Sequence, residues 1–265
     1  MLGWWQSGGA PLSGERHGTV WITGAGKGIG RALALKYAAA GRSVAASART
    51  VADLTRLEED AKPLPGSVHG FPLDTTDQEQ VLTVLEDIER ALGPVGQVIL
   101  NAGTHVPTPV YTFSPDLIRS LFDVNVMGTV HCLSAILKRR EERHGCRVAV
   151  VASLAGYRGL PIASAYGATK AALINMCEGL RPELEPFGMT LQLVNPGFVQ
   201  TPLTDKNEFP MPFLISAQKA ADCIHAGLES DHFQIAFPFR FALIMKILRV
   251  LPDALYFRIT RRMVS

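Results

Sequence analysis

The chain has 265 residues, enough to form one large domain with a sizeable buried core. Hydrophobic residues make up 47% and charged residues 19% of the sequence, a globular composition that argues against disorder over the whole chain. The 26 basic and 24 acidic residues leave a net charge of +2, which does not indicate a nucleic-acid-binding protein.

Short apolar runs alternate with amphipathic stretches along the chain. The runs predicted as strands are Thr19–Thr23, Ser43–Ser47, Val68–Leu73, Val95–Leu100, Arg147–Ala152 and Thr190–Val194. The stretches predicted as helices are Ile29–Ala40, Val51–Ala61, Asp77–Leu92, Pro115–Glu142, Ala165–Leu184 and Ala217–Glu229. Each interval leaves room for a crossover helix, which predicts a parallel sheet with helices on both faces. We therefore expect a single-domain α/β protein over residues 18–237, a doubly wound Rossmann-type sheet in three α/β/α layers.

Three prolines are expected to mark helix ends. Ser114 followed by Pro115 fits an N-cap residue and a first-turn proline. Pro182 and Pro186 are expected to kink or end the helix that starts at Ala165, because proline lacks the N–H that helix bonding requires.

The cysteines and the N-terminus bear on the compartment. Cys132, Cys146, Cys177 and Cys223 lie far apart without a C-x-x-C pair, so neither a metal site nor a disulfide framework is expected. Residues 1–17 show no signal-peptide pattern and are predicted to be a flexible extension. No uncharged apolar stretch approaches the roughly 18–20 residues of a membrane-spanning helix. The sequence therefore predicts a cytoplasmic protein.

A glycine-rich turn follows the first predicted strand. It reads Thr23-Gly24-Ala25-Gly26-Lys27-Gly28-Ile29-Gly30 and leads into a helical run. Glycines let the backbone approach a pyrophosphate closely, and the start of a helix offers N–H groups and a positive dipole end. The spacing matches neither G-x-G-x-x-G nor the Walker pattern. The turn predicts a dinucleotide site, with a purely structural strand-to-helix turn as the alternative.

Further motifs follow in a recognisable order. They are Asn101-Ala102-Gly103 after the fourth predicted strand, Asn125, Ser153 after the fifth strand, Tyr166-x-x-x-Lys170 and Pro196-Gly197. Together with the glycine turn, this set resembles the classical short-chain dehydrogenase/reductase (SDR) family over about residues 19–236. The resemblance implies a nicotinamide-dependent oxidoreductase.

The resemblance assigns four residues to catalysis. Tyr166 and Lys170 are four positions apart, so they share one helix face, where a nearby ammonium favours the phenolate and lowers the tyrosine pKa. Ser153 can donate a hydrogen bond to a substrate carbonyl as negative charge develops. Asn125 is implied to hold a water that links Lys170 to solvent. A solvated tyrosine–lysine pair, a capping serine and a buried structural amide are the alternatives.

The second predicted strand bears on the choice of cofactor. An NAD-selecting enzyme usually places a carboxylate there for the ribose 2′-hydroxyl, but this chain has Ala48 followed by Arg49. The Arg49 guanidinium suits a 2′-phosphate, and Lys27 offers a second cation, a pairing similar to that of NADP-dependent carbonyl reductases. NADP(H) is therefore favoured, with NAD(H) as the alternative if both cations are ordinary solvated charges.

Other predicted cofactor contacts come from the resemblance. Asp74 is expected beside the adenine, unless it is an ordinary helix cap, and Asn101, Ala102 and Gly103 are expected on the adenine-ribose side. The segment of Pro196, Gly197, Val199 and Thr201 is expected to hold the nicotinamide carboxamide. The full predicted set is Thr23, Gly24, Gly26, Lys27, Gly28, Ile29, Gly30, Arg49, Asp74, Asn101, Ala102, Gly103, Tyr166, Lys170, Pro196, Gly197, Val199 and Thr201.

An apolar loop over residues 197–216 corresponds to the segment that closes over substrate in this family. Such a lid favours a hydrophobic substrate. The predicted substrate contacts are Leu154, Phe198, Leu203 and Phe209, with packing within the loop as the alternative.

The charge is unevenly distributed. Residues 233–265 contain six basic side chains and one acidic one, a charge of +5 that leaves −3 for the other 232 residues. Apolar residues alternate with these cations, which predicts basic amphipathic helices over residues 238–265. Such a segment can lie on an anionic membrane, giving peripheral association, or it can cover the substrate cleft or a partner subunit.

The sequence thus predicts an NADP(H)-dependent oxidoreductase that interconverts a carbonyl and an alcohol on a lipophilic substrate. A cofactor-sensing or scaffold protein of the same fold is the alternative. The resemblance also implies a homodimer or homotetramer.

Overall fold

Seven parallel strands form the central sheet of the computed structural model, which describes residues 18–206 and 211–263. The predicted extension over residues 1–17 lies outside this range. The strands of the central sheet are β1 (Thr19–Thr23), β2 (Ser43–Ala48), β3 (Ser67–Pro72), β4 (Val95–Leu100), β5 (Arg147–Val151), β6 (Thr190–Pro196) and β9 (Gln234–Phe237). Between β6 and β9, β7 (Val199–Gln200) and β8 (Ile215–Ser216) form a separate two-stranded sheet. The sheet order is β3-β2-β1-β4-β5-β6-β9. The order reverses between β1 and β4, so a crevice opens there at the carboxyl ends of the strands.

Helices cover both faces of the sheet. They are α1 (Gly28–Ala39), α2 (Val51–Ala61), α3 (Gln78–Leu92), α4 (Pro115–Phe122), α5 (Gly128–Leu137), α6 (Ser164–Leu184), α7 (Ala217–Leu228), α8 (Phe239–Val250) and α9 (Asp253–Thr260). Side chains of β1 alternate between two cores: Val20 and Ile22 pack with α1, α2 and α7, whereas Trp21 packs with α3, α5 and α6. All three side chains are fully buried. The predicted doubly wound three-layer α/β/α fold is confirmed.

The six predicted strands form within two residues of their expected bounds. The seventh, β9, was not predicted, because its four residues merge with the apolar C-terminal segment; in the sheet Ile235 pairs with Val194 of β6. Ser114 caps α4 as expected, its Oγ accepting a 3.2 Å hydrogen bond from the N–H of Leu117. Helix α6 continues past Pro182 and ends at Leu184.

The predicted helix over residues 115–142 is interrupted. A π-helical turn (Asp123–Met127) separates α4 from α5, which ends at Leu137. By length and composition the stretch Pro115–Leu137 is apolar enough to cross a membrane, and 44% of its most apolar window is buried inside the protein. Leu121, Leu133 and Ile136 belong to its buried side chains, so in this fold it packs as a core helix.

The C-terminal segment folds onto the domain. Ala242 and Met245 of α8 are buried in the core shared with α3, α5 and α6. Arg158 donates hydrogen bonds of 2.8 Å to the carbonyl oxygen of Leu248 and 2.5 Å to that of Leu251, at the end of α8. The segment is thus attached to the loop between β5 and α6.

Candidate active site

The turn between β1 and α1 is held by the end of β4. Thr23 Oγ1 accepts hydrogen bonds of 3.1 Å from the N–H groups of Asn101 and Ala102. The Asn101 side-chain amide donates to the carbonyl oxygens of Thr23 and Gly24, both at 3.2 Å. The side chain of Asn101 therefore fastens the glycine turn, a role the sequence did not reveal.

Two glycines of this turn have no room for a side chain. Gly24 adopts a positive φ of 66°, and a Cβ there would lie 2.8 Å from Cα of Ala102. A Cβ on Gly30 would collide with the carbonyl oxygen of Gly24. Lys27 precedes α1 without capping it through its side chain, and the first N–H groups of a helix lack partners within the helix. The turn is a backbone cradle of the kind that fits a pyrophosphate.

The cations predicted for a 2′-phosphate have an acidic neighbour. Lys27 Nζ lies 3.3 Å from Oδ2 of Asp53, in the first turn of α2, and the Asp53 side chain is only 18% exposed. A Cβ on Gly26 would lie 3.1 Å from Cβ of Asp53 and 3.2 Å from Cβ of Ala48, so these residues share one corner of the crevice. Arg49 is exposed beside them. The sequence did not reveal Asp53, because an acid at this position is common for its effect on the helix dipole alone.

Asp74 lies after β3, near Arg49. Burial raises its pKa, but hydrogen bonds from the N–H and hydroxyl of Thr76, together with the charge of Arg49, outweigh this and lower the pKa below its usual value. Asp74 is therefore ionised at neutral pH. Its predicted contact with an adenine stays a prediction.

Ser153, Tyr166 and Lys170 meet at the carboxyl end of β5. Ser153 follows β5 by two residues; its Oγ lies 3.4 Å from the carbonyl oxygen of Pro196, to which it donates, and accepts from the N–H of Ala155. Lys170 is 4% exposed and its Nζ lies 5.7 Å from the centre of the Tyr166 ring. The hydrogen bond between Ser153 and Tyr166 favours the phenolate. The structure therefore brings together the three side chains that the sequence predicts for proton transfer.

The pKa values differ from the sequence expectation. Burial raises the pKa of Tyr166 to about 12, and a side-chain hydrogen bond with Ser153 offsets this only in part. Burial also lowers the pKa of Lys170 to about 8. The expected lowering of the tyrosine pKa is therefore wrong for this structure, because desolvation outweighs the nearby amine. Tyr166 carries its proton at neutral pH.

Asn125 lies in the π-helical turn and is fully buried. Its Oδ1 accepts a 2.7 Å hydrogen bond from the N–H of Thr104, and its Nδ2 donates to the carbonyl oxygen of Thr104 at 2.9 Å and to Oγ1 of Thr169 at 3.0 Å. Asn125 thus ties the loop after β4 to α6. The water-holding role that the resemblance implies stays a prediction.

His105 was missed by the sequence analysis. Its ring centre lies 4.8 Å from that of Tyr166 in an edge-on arrangement, and the residue is 7% exposed. Gly103 also lies at the site, because a Cβ there would lie 3.5 Å from Nζ of Lys170. The position of His105, two residues after the Asn-Ala-Gly motif, is the one signal that could have drawn attention to it.

The segment after β6 closes another side of the crevice. Val199 is buried, and Thr201 faces the glycine turn, where a Cβ on Gly28 would lie 3.0 Å from its Cγ2. Strand β6 ends at Pro196, and the N–H of the next residue, Gly197, donates to the carbonyl oxygen of Phe237 at 2.7 Å. The proposed nicotinamide-holding segment therefore adjoins the dinucleotide cradle.

The predicted substrate contacts occupy different settings. Phe198 stacks on Phe241 of α8, with ring centres 5.4 Å apart, and Leu203 is partly buried. Leu154 is 1% exposed within the core, which favours its packing role. Phe209 lies outside the described residues. No cluster of three or more metal-ligating side chains occurs within residues 18–206 and 211–263.

Known proteins share this sequence and fold. The profile of the short chain dehydrogenase family matches residues 18–210. An uncharacterized oxidoreductase of Myxococcus xanthus is 34% identical over 92% of this chain and 97% of that protein. Human 17-beta-hydroxysteroid dehydrogenase type 1 is 37% identical over 71% of this chain and 58% of that protein. A short-chain dehydrogenase from Sphingobium yanoikuyae, solved with NADPH, shares the fold with a TM-score of 0.76 and 23% identity over 90% of this chain and 98% of that one. Together with the Ser153, Tyr166 and Lys170 site, these matches show that the chain belongs to the short-chain dehydrogenase family of oxidoreductases.

Proposed function

We propose that the protein interconverts a carbonyl and an alcohol on a lipophilic small molecule, using NADP(H), with Tyr166 as general acid and base. The observation that carries the proposal is the convergence of Tyr166 with Ser153 and buried Lys170 at the crevice where the sheet order reverses.

The residues of the β1–α1 turn fit a dinucleotide. The glycine cradle, the start of α1 and the cations Lys27 and Arg49 would hold its phosphates, and Ala48 places no carboxylate against a 2′-phosphate. Asp53 opposes this preference for NADP(H), because its negative charge lies beside Lys27 and offsets the charge that would bind a 2′-phosphate. When bound, a reduced nicotinamide supplies the hydride for carbonyl reduction.

Ser153, Tyr166 and Lys170 have separate roles in proton transfer and charge stabilisation. The Ser153 hydroxyl donates a hydrogen bond to the substrate oxygen as negative charge develops there. Tyr166 is protonated at neutral pH, so it can deliver its proton to that oxygen in the reductive direction. Lys170 stabilises the phenolate that is left by bringing a positive charge to within 5.7 Å of the ring centre. In the oxidative direction, the same groups act in reverse.

The apolar loop supports a lipophilic substrate. Phe198 and Phe213 both stack on Phe241, with ring centres 5.4 Å and 6.0 Å away, so aromatic side chains line one side of the loop. An apolar surface of this kind binds apolar molecules by removing them from water.

Self-association is also proposed. Val110, Tyr111 and Phe113 before α4 are 90%, 85% and 58% exposed, and Met127 is 43% exposed. Exposed apolar side chains as close in sequence as Val110, Tyr111 and Phe113 are typical of interfaces. We propose a homodimer or homotetramer in solution, which light scattering would measure.

The reaction can be tested by NADPH consumption. A screen would offer lipophilic ketones and aldehydes, including a steroid ketone and a 3-oxoacyl thioester, at neutral pH. For any active substrate, Tyr166→Phe is expected to lower the rate about 10²–10⁴-fold while NADPH binding, followed by fluorescence, is retained. Equal rates for Tyr166→Phe and the wild type would contradict the mechanism. Tight NADPH binding without turnover across the screen would favour a cofactor-sensing protein.

A further inference from the structure

Helix α8 is apolar on both of its faces. Its inner face carries Phe241, Ala242, Met245 and Leu248, which are buried or partly buried against the core. Its outer face carries large apolar side chains at spacings of three and four residues, which places them on one stripe. These are Phe239, Leu243, Ile247 and Val250, exposed by 77%, 48%, 51% and 78%. An exposed apolar stripe of this kind marks a surface that binds a partner or a membrane.

Cations flank this outward stripe. Arg240 and Lys246 are exposed and, by helical spacing, border the stripe on its two sides. Helix α9 and the turn after it add Leu255, Ile259 and Met263, exposed by 45–57%, together with Arg258 and Arg262. Phe257 and Arg261 instead line a groove against residues 155–161 and α6. Asp253 is the one acidic residue of α8, α9 and the turn through Met263. The surface therefore combines apolar side chains with positive charge.

We propose that this outward face of α8 and α9 docks on an anionic lipid bilayer. Apolar side chains would enter the boundary between headgroups and acyl chains, and the flanking arginines and lysine would meet anionic headgroups. A second copy of the chain fits less well, because a two-fold contact centred on α8 would bring Arg240 and Lys246 toward the same cations of the copy. The remainder of the chain carries −3, so attraction to anionic lipid is concentrated in this segment.

Helix α8 lies between the proposed docking face, on its outer side, and the substrate loop, on its inner side. Phe241 on the inner side of α8 stacks with Phe198 and Phe213. The ring also packs against Gly197, where an added Cβ would lie only 2.6 Å from Cδ1 of Phe241. Arg158 fixes the end of α8 to the loop that follows Ser153. Docking through α8 would therefore hold the mouth of the active site at the lipid surface. This last step rests on the proposed function, because it assumes a lipophilic substrate drawn from the bilayer.

Vesicle co-sedimentation tests the docking surface. The full chain would be mixed with vesicles of phosphatidylcholine alone or with 30% phosphatidylglycerol, in low and high salt. The wild type is expected to pellet with the anionic vesicles at least about tenfold more than with neutral ones, and less at high salt. Two variants, Leu243→Asn with Ile247→Asn and Arg240→Glu with Lys246→Glu, are each expected to lose most of this binding.

A matched variant controls for net charge. Lys62→Glu with Arg90→Glu makes the same charge change at two other exposed cations, one just after α2 and one in α3, and is expected to keep most of the binding. Equal sedimentation of the wild type and both α8 variants would overturn the proposal. So would a wild type that ignores vesicles but forms a dimer that Leu243→Asn with Ile247→Asn dissociates, since the face would then be an interface between copies.

Turnover separates this proposal from the proposed function. Reduction of a short, water-soluble carbonyl by NADPH is expected to be the same in the wild type and both α8 variants, because none of the changed residues faces the crevice. Vesicle binding with no turnover of this carbonyl or of any lipophilic carbonyl in the screen would leave docking supported and contradict the oxidoreductase proposal. Turnover without vesicle binding would support the oxidoreductase proposal and contradict docking.

Discussion

Lys170 donates a 3.0 Å hydrogen bond from Nζ to the main-chain carbonyl oxygen of Val151, the last residue of β5. The bond ties α6 to the strand that leads to Ser153, so proton donor, lysine and serine keep their relative positions. It also holds an amine in a buried place, where burial lowers its pKa to about 8.

This buried amine predicts a pH-dependent stability. The pKa of Lys170 falls from 10.5 in the unfolded chain to about 8 in the folded protein, so between these values the unfolded chain binds more protons. The contribution of Lys170 to the free energy of unfolding therefore rises as the pH increases from 8 to 10.5. Relative to Lys170→Met, the wild type should gain about 2 kcal/mol between pH 7 and pH 9.5, as measured by urea unfolding. A difference that does not change with pH would show that Lys170 titrates normally. Effects of other ionising groups cancel in this comparison.

The ion pair between Lys27 and Asp53 predicts a change in cofactor preference. Asp53→Asn removes a carboxylate 3.3 Å from Nζ of Lys27, so the affinity for NADPH should rise about three- to tenfold while that for NADH changes little. Arg49→Ala should weaken NADPH binding by about tenfold or more. Fluorescence titration measures both affinities without turnover. If both variants bind NADPH and NADH as the wild type does, Arg49 and the pair of Lys27 and Asp53 do not distinguish a 2′-phosphate from a 2′-hydroxyl.

A side chain at Gly30 is expected to disrupt the dinucleotide cradle. The Cβ of Gly30→Ala would collide with the carbonyl oxygen of Gly24 and lie 2.6 Å from Nδ2 of Asn101, so stability should fall by about 1–3 kcal/mol and NADPH affinity by at least about tenfold. Gly179→Ala, in the same fold but with nothing within 4 Å of its Cβ, is the matched control. It should raise stability by about 0.5–1 kcal/mol because alanine favours a helix. Normal NADPH affinity in Gly30→Ala would contradict the prediction, since the glycine turn would then accept the added Cβ without losing its fit to the cofactor.

The attachment of the C-terminal helices depends on Arg158. Its guanidinium donates to the carbonyl oxygens of Leu248 and Leu251 and lies 3.9 Å from the centre of the Tyr256 ring. Arg158→Met leaves these carbonyls without their donor, so stability should fall by about 2–3 kcal/mol and proteases should cleave within residues 239–263 first. Urea unfolding and mass spectrometry of the fragments measure these effects.

Asp253→Asn is the control for this contact. Its carboxylate pairs with Arg158 but is 83% exposed, so solvent screens the pair and the loss should stay below about 1 kcal/mol. A larger loss in Asp253→Asn than in Arg158→Met would mean that the ion pair, and not the hydrogen bonds to α8, holds the segment.

Local patterns in the sequence were sufficient for most of the fold. Apolar alternation and crossover spacing are properties of short stretches, so six strands and the crossover helices could be placed before the structure was known. Tyr166 and Lys170 share a helix face wherever the helix lies, since four residues make about one turn. The glycine turn could be named from its glycines between a strand and a helix, and Ser153 from the resemblance to the short-chain dehydrogenase/reductase family.

Only the tertiary structure decided the features that depend on contacts distant in sequence. The pairing of β9 with β6, the approach of Asp53 to Lys27 and the hydrogen bonds from Asn101 to the glycine turn join residues dozens of positions apart or more. The pKa of Tyr166 rises because the folded protein desolvates it, whereas the sequence showed only the lysine nearby. The sequence determined which chemical groups this protein possesses and which helix faces they share. Folding decided how much water each group retains and which partners it meets, because burial and contact are properties of the packed whole.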